Sequence, residues 1–544
     1  MPASISLSDL SWSTPDGRAL FSHLTLQFGP GRTGLVGRNG VGKTTLLRLI
    51  AGEWMPQSGQ VNVVGRLAML DQTLQAGEDD TVADLFCAAD ALAMLRRAAV
   101  GVAGADELAD LDWTLETRIA RALGRLGLNL ALDAPLAKLS GGQLTRAKLA
   151  ALVFAKPDFA LFDEPTNNLD DDGRAAVIAL LADWRGGALV VSHDRELLET
   201  MDAIVELTSL GATSYGGNWS AYRARKAIEI DSARQQLADA ERRVGDLARA
   251  AVIAQQRKAR KDRAGQSKAR RGDEPTISLG LRRNRSENTA GETARLVERR
   301  RDQALQEVAV ARQRIEILQP LLVALPSTGL SATRTVLDID AVSGGYEIGC
   351  PIIESFSLKL VGPERVAICG PNGSGKTTLL ALITGRLRPW SGSVRMKSGF
   401  AMLDQQVSLL DRAASIRGNF LRINPGSDEN GCRAALARFM FRADAALQTV
   451  ASLSGGQALR AGLACVLGGP SPPSLLILDE PTNHLDIEAV EAVEAGLLGY
   501  DGALLVVSHD PAFLAAIGIT RRILLDAPKS ANLLSGEAGQ RRLP

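Results

Sequence analysis

Gly37-Arg38-Asn39-Gly40-Val41-Gly42-Lys43-Thr44 decides the fold, because Gly370-Pro371-Asn372-Gly373-Ser374-Gly375-Lys376-Thr377 repeats its pattern 333 residues later. The first copy follows a short apolar run, Thr33-Gly34-Leu35-Val36, and leads into a helix-like segment, Thr45 to Ile50. In that setting a glycine-rich turn wraps phosphate: backbone N–H groups at a helix N-terminus face the oxygens, and glycine lets the main chain come close. Gly37, Asn39, Gly40 and Gly42, with Gly370, Asn372, Gly373 and Gly375, are therefore assigned to nucleotide phosphates. Lys43 and Lys376 are expected to neutralise the β and γ phosphates, with Thr45 and Thr378 beside them. The hydroxyls of Thr44 and Thr377 suit Mg2+.

Outward from this loop, three more strings recur in the same order. Leu139-Ser140-Gly141-Gly142-Gln143 returns as Leu453-Ser454-Gly455-Gly456-Gln457. The apolar run Phe159 to Phe162 ends in Asp163-Glu164, as Leu475 to Leu478 ends in Asp479-Glu480. Ser192-His193-Asp194 returns as Ser508-His509-Asp510, each histidine 29 residues after its glutamate. Carboxylates at the ends of buried parallel strands face ligands. Asp163 and Asp479 are thus expected to hold Mg2+, and Glu164 and Glu480 to polarise the attacking water. His193 and His509 are assigned to a γ-phosphate contact. Gln72 and Gln405, in matched Ala-Met-Leu-Asp-Gln strings, are candidate ligands of Mg2+ or the water. The signature serines are only 314 residues apart, so the first copy carries extra chain upstream, read as a helical arm over about 79–132.

Composition bounds the rest. At about 150 residues per domain, 544 residues suggest three or four domains. Cys87, Cys350, Cys369, Cys432 and Cys465 are scattered, which supports neither a zinc site nor a disulfide framework. An unbroken apolar run of about eighteen residues is lacking, as is a leader pattern at the start, so a cytoplasmic protein is expected.

Between the copies, residues 223–333 have their own character. Ile230, Ala233, Leu237, Ala240, Val244, Leu247, Ala251 and Ala254 alternate steps of three and four, as do Ala304, Val308, Ala311, Ile315, Leu318 and Leu322. Two antiparallel helices satisfy both stripes, with a turn near Arg271-Gly272-Asp273-Glu274-Pro275. From 251 to 285 there are eleven basic and three acidic residues, although the whole chain is only +1. Arg257, Lys258, Arg260, Lys261, Arg263, Lys268, Arg270 and Arg271 form a basic tip on an acidic body. With so few aromatics, that tip is suited to phosphate contact on nucleic acid rather than base stacking.

The four ordered motifs resemble the nucleotide-binding domain of ATP-binding cassette proteins, to which the Leu-Ser-Gly-Gly-Gln string is peculiar. The resemblance implies that Ser140, Gly141, Gly142 and Gln143, and Ser454, Gly455, Gly456 and Gln457, cap the γ-phosphate held by the opposite domain. Two composite sites would pair Lys43 with Ser454 and Lys376 with Ser140. The family stacks adenine on an aromatic about thirty residues before the lysine; Tyr346 fits, whereas the first domain has Thr14 there and Trp12 two residues earlier.

Glu164-Pro165-Thr166-Asn167-Asn168-Leu169-Asp170, Glu480-Pro481-Thr482-Asn483-His484-Leu485-Asp486 and Tyr215-Gly216-Gly217-Asn218-Trp219-Ser220 resemble strings of the ABC-F subfamily, with Asn168 in place of the usual histidine. In that subfamily the inter-domain helical pair enters the ribosomal exit-tRNA site and reaches toward the peptidyl-transferase centre. The likeness covers the two cassettes and matches the linker in type.

The resulting expectation is an α/β protein: two P-loop ATP-binding cassette domains, 1–222 and 334–527, joined by a long antiparallel helical hairpin linker at 223–333, with a tail at 528–544. Its implied function is an ATP hydrolase that uses ATP and Mg2+ to control association with the ribosome, touching ribosomal RNA and tRNA. It is expected to be a monomer whose cassettes pair within the chain. The rivals are an ATPase subunit of a membrane transporter, for which a short linker without a basic tip is expected, and a DNA repair ATPase, whose zinc cysteines are missing here.

Overall fold

The computed structural model describes residues 3–70, 77, 80–100, 111–167, 169–209, 211–269, 299, 302, 303, 305, 306, 308, 325–347, 349–483 and 485–526. Apolar runs build the centre of each cassette. Every residue of the strands Phe159–Asp163 and Gly187–Val191 is buried, as befits strands covered on both faces.

In the first cassette, Leu67–Leu70, Phe159–Asp163, Gly187–Val191, Arg32–Val36 and Ala203–Thr208 lie side by side in parallel, and Gly211–Gly216 closes one edge antiparallel. A second, antiparallel sheet has Ser4–Ser13 between Ala19–Phe28 and Ser58–Val64. The helix Lys43–Ala51 is held between the sheets. Its Leu46, Leu47, Leu49 and Ile50 share one core with Ile5, Leu7 and Phe28 of the antiparallel sheet and with Phe159, Leu161 and Leu189 of the parallel one. At about 1.5–3 kcal/mol per fully buried aliphatic side chain, this core fixes where the helix N-terminus points.

The second cassette repeats the plan. Phe400–Leu403, Leu475–Asp479, Ala503–Val507, Arg365–Cys369 and Arg521–Leu524 are parallel in that order, and Thr335–Gly344 lies between Ile353–Val361 and Ser391–Met396. A helical part, Ile416–Ile423, Glu429–Arg438 and Gly455–Leu467, packs its own core through Phe420, Leu436, Phe439 and Leu463. In the first cassette the corresponding stretch holds Val82–Leu85, Ala89–Ala99 and Leu115–Gly124. Ala89–Ala99, which buries Leu92 and Leu95, supplies part of the extra length seen in the sequence.

By internal contacts the chain divides into two units, Met1–Ser220 with Pro320–Pro544, and Ala221–Gln319. Both cassettes belong to the first. The helix Trp219–Ala269 is 51 residues long. At about 1.5 Å per residue it extends roughly 76 Å. Ala233 and Ala240 are buried, and Ile230, Leu237, Val244 and Leu247 are half-buried, so the three-four stripe is the shielded side of this helix. Arg257 and Arg260 are exposed. Lys258, Lys261, Arg263 and Lys268 are in the helix, their side chains outside the described set. Arg270, Arg271, the proposed turn and all but Val308 of the second stripe also lie outside the described residues.

Candidate nucleotide sites

The two phosphate loops are built alike. Gly42 and Gly375, both in the left-handed region, precede the helices Lys43–Ala51 and Lys376–Ile383, whose first N–H groups receive no side-chain cap. Gly37 has φ of 151°, and a Cβ there would stand 2.2 Å from the carbonyl oxygen of Leu207; at Gly370 the corresponding distance, to Leu525, is 2.4 Å. Only glycine fits between the neighbouring strand and the loop. Lys43 is buried, and its Nζ donates to the carbonyl oxygens of Gly37 at 2.6 Å and Arg38 at 3.3 Å. Lys376 Nζ donates to Gly370 at 2.7 Å and Pro371 at 3.0 Å. Burial lowers the pKa of both lysines, opposed by Glu164 at one site and Glu480 at the other.

At the strand ends, Glu164 and Glu480 occupy the left-handed backbone region with φ of 49° and 46°, uncommon for a residue other than glycine. Each is pinned by its own N–H, which donates to Val191 or Val507 at 2.9 Å. His193 Nε2 lies 3.0 Å from Glu164 Oε1, and His509 Nε2 lies 3.4 Å from Glu480 Oε1. Burial drives Glu164, Asp479 and Glu480 above the ordinary carboxylate range, and burial followed by Lys43 drives His193 well below the ordinary imidazole value.

Glu164 Oε1, His193 Nδ1, Ser374 Oγ and His509 Nε2 are buried atoms without a hydrogen-bond partner among the described residues. Buried polar atoms are ordinarily satisfied, so these atoms, beside two uncapped helix N-termini, fit a polyanion and its water. Thr44 and Asp163, and Thr377 and Asp479, are the oxygen donors that suit Mg2+.

The signature strings are helix starts. Ser140 Oγ accepts from the N–H of Gln143 at 3.2 Å while Gln143 Oε1 accepts from the N–H of Ser140 at 3.0 Å; Ser454 and Gln457 repeat this at 3.3 and 2.9 Å. Such reciprocal capping holds the Gly-Gly turn in shape.

The cassettes face one another within their shared unit. The N–H of Asn39, in the first phosphate loop, donates to Asp486 Oδ2 at 2.7 Å, and Arg38 Nε donates to Glu488 at 2.5 Å. Arg195 grips Glu494 through both terminal nitrogens at 2.8 and 3.1 Å. His509 Nδ1 is 3.1 Å from Asp171 Oδ1. The sequence reading missed all these partners. The available signal was mismatch between the copies: Arg38 aligns with Pro371, Arg195 with Pro511, Glu494 with Ile178, and Asp171 with Ile487.

Other assigned residues are less gathered. Gln405 is exposed in the turn after Phe400–Leu403, and Gln72 and Asn168 lie outside the described residues. Tyr346 is 67% exposed. Thr14 is tied into a tight turn through its N–H to the Arg18 carbonyl at 2.9 Å, while Trp12 stacks on Trp54 with ring centroids 5.2 Å apart.

Comparison with known proteins speaks to the family and the fold. The family model described as "ABC transporter" matches residues 21–167 and again 353–483. Tylosin resistance ATP-binding protein TlrC of Streptomyces fradiae is 33% identical, the match covering 91% of this chain and 92% of that protein. Energy-dependent translational throttle protein EttA of Mycobacterium tuberculosis is 30% identical over 91% of this chain and 87% of its own. Among solved structures, the archaeal ribosome recycling factor aABCE1 superimposes with a TM-score of 0.57 at 19% identity, over 95% of this chain and 87% of that one. The RNase-L Inhibitor does so with 0.55 at 19%, over 92% and 85%. At such identities these two structures speak for the fold alone. Among the described residues, no helix is long and apolar enough to cross a membrane. Paired phosphate loops, paired signature helices and relatives aligned along nearly the whole length make the chain a member of the ATP-binding cassette family, in its tandem-cassette ABC-F branch.

Proposed function

We propose that the chain hydrolyses ATP at two composite sites and that its nucleotide-closed form engages the ribosome. The observation that carries this is the facing of the cassettes: a carboxylate that follows the Asp-Glu pair of the second cassette, Asp486, sits on the phosphate loop of the first. A nucleotide held by Lys43 would then be covered from the other half by the Ser454 helix, and one held by Lys376 by the Ser140 helix. Bound Mg2+ would supply charge neutralisation on the phosphates, held by Thr44 and Asp163 in one site and Thr377 and Asp479 in the other.

Glu164 Oε1 and its counterpart on Glu480 would take the proton of the attacking water. Burial raises the proton affinity of both carboxyls, the pKa of Glu164 up to about 8, and in its ionised form such a carboxylate is a better proton acceptor than an ordinary one. The tether between cassettes makes closure an intramolecular event, which supports a monomer with internal pairing.

Two relatives carry names that point to translation and to resistance against tylosin. The long helix with exposed Arg257 and Arg260 supports the same reading here, with cytoplasmic ribosomes as the partner and RNA phosphate as the contact. The test is the double variant E164Q/E480Q, incubated with ATP and sedimented with ribosomes. It is expected to accumulate in the ribosomal pellet and to inhibit translation; an unaltered distribution and normal translation would refute the reading.

A further inference from the structure

The two sites hold their histidines differently. His509 has a carboxylate from the other cassette on Nδ1, Asp171 Oδ1 at 3.1 Å, and points its Nε2 at Glu480, 3.4 Å away. His193 has no hydrogen-bond partner on Nδ1 among the described residues, and the position equivalent to Asp171 is Ile487, a buried aliphatic. Asp170 and Asp486, the preceding residues, both cap their own helices, through Gly173 and Ala489, so the two helix starts are alike in their caps and differ at the next side chain. Asp171 has no such duty; its side chain is 60% exposed and turned to the histidine.

We propose that Asp171 is a positioning residue that acts across the cassette boundary on His509, making the Lys376 site dependent on the first cassette in a way that the Lys43 site does not depend on the second. A carboxylate on Nδ1 makes that nitrogen the donor and fixes the rotation of the ring, so Nε2 is held on the line to Glu480 and the γ-phosphate position. In the Lys43 site the buried ring has Glu164 Oε1 3.0 Å from its Nε2 and, among the described residues, no hydrogen-bond partner on Nδ1. The cassettes instead meet near that site through the Arg38–Glu488 ion pair, for which the other side offers Pro371 and Asp172.

This inference rests on the hydrolysis reading above, and its experiment separates the two. ATP turnover by the full chain is compared for wild type, D171I, which copies Ile487, and D171N, whose carboxamide oxygen can still accept from Nδ1. Each is also combined with E164Q, leaving only the Lys376 site to turn over, and with E480Q, leaving only the Lys43 site. With E164Q, D171I is expected to lower kcat on the order of tenfold at nearly unchanged KM, and D171N to keep most of the rate. With E480Q the loss is expected to be several-fold smaller. Equal losses in both backgrounds, a change in KM alone, or D171N no better than D171I would overturn the assignment. If E164Q by itself silences the chain, the wild-type background decides: kcat falls with D171I and returns with D171N, or the assignment is wrong. Turnover that D171I leaves untouched removes only the role of Asp171, whereas no turnover from wild type overturns the hydrolysis reading beneath it.

Discussion

Removing the Arg195 guanidinium should weaken closure of the cassettes by an amount the structure allows to be worked out. Arg195 and Glu494 are 17% and 11% exposed, and two hydrogen bonds join them across the boundary. Truncating one partner of a buried pair costs about 3–5 kcal/mol, mostly because the other charge is left without a partner. Residual water access at this pair lowers the figure to about 2–3 kcal/mol, and since about 1.4 kcal/mol is tenfold in affinity, R195A should weaken ATP binding roughly 30- to 140-fold. The assay is equilibrium ATP binding to the E164Q/E480Q chain, so that turnover does not intervene.

Burial already raises the pKa of Glu494 against the pull of Arg195, so the orphaned carboxyl can escape its penalty by taking up a proton. The R195A defect should therefore shrink in mildly acidic buffer. The double variant R195A/E494L, which removes both charges, should recover most of the affinity. R195A binding within about twofold of its parent at neutral pH would show that the pair contributes nothing to the nucleotide-bound form, and the reasoning would fail.

G37A should abolish nucleotide binding to the first cassette, because its methyl group would overlap the Leu207 carbonyl; isothermal titration should show about half the ATP stoichiometry, and a full stoichiometry would contradict the loop geometry. R257E/R260E should weaken ribosome binding and reduce the slope of log affinity against log salt by about two to four, with ATP affinity nearly unchanged. Asp202 is held below the ordinary aspartate range, chiefly by the side-chain hydrogen bonds from Arg32, then by the Arg32 backbone N–H and its charge, against a smaller burial effect. Its depressed pKa means a contribution present above the ordinary aspartate value and lost as pH falls through the lower, folded one. Since Asp202 is half exposed, D202N should cost only about 0.5–1 kcal/mol at neutral pH, and chemical denaturation should show wild type and variant converging in acid.

Much of this protein could be read along one line of sequence because its chemistry is local. A phosphate loop needs its glycines and lysine within eight residues, and a strand buried on both faces announces itself as an uncharged run, so both loops, both Asp-Glu strand ends and both histidines are legible in the sequence. The three-four stripe from Ile230 to Leu247 likewise follows from helix periodicity. The contacts between halves were hidden because nothing within one copy specifies them. Arg38 and Glu488 are 450 residues apart, and Arg195 and Glu494 are 299 apart. Each pair reads as two solvated charges until the surfaces meet. The left-handed turn at Glu164 was equally illegible, since it is imposed by the Val191 carbonyl rather than by the glutamate's own preference.

The one-sidedness of the Arg195–Glu494 grip bears on how such a chain stays loyal to itself in a crowded cell. Two first halves from different molecules, brought together in the same pose, would place Arg195 against Ile178 without the carboxylate of Glu494, and two second halves would bury Glu494 against Pro511. Both mismatched couples strand a charge, and only the unlike couple that one polypeptide carries satisfies it. Differences at a handful of positions between two otherwise similar halves would make like halves poor mates.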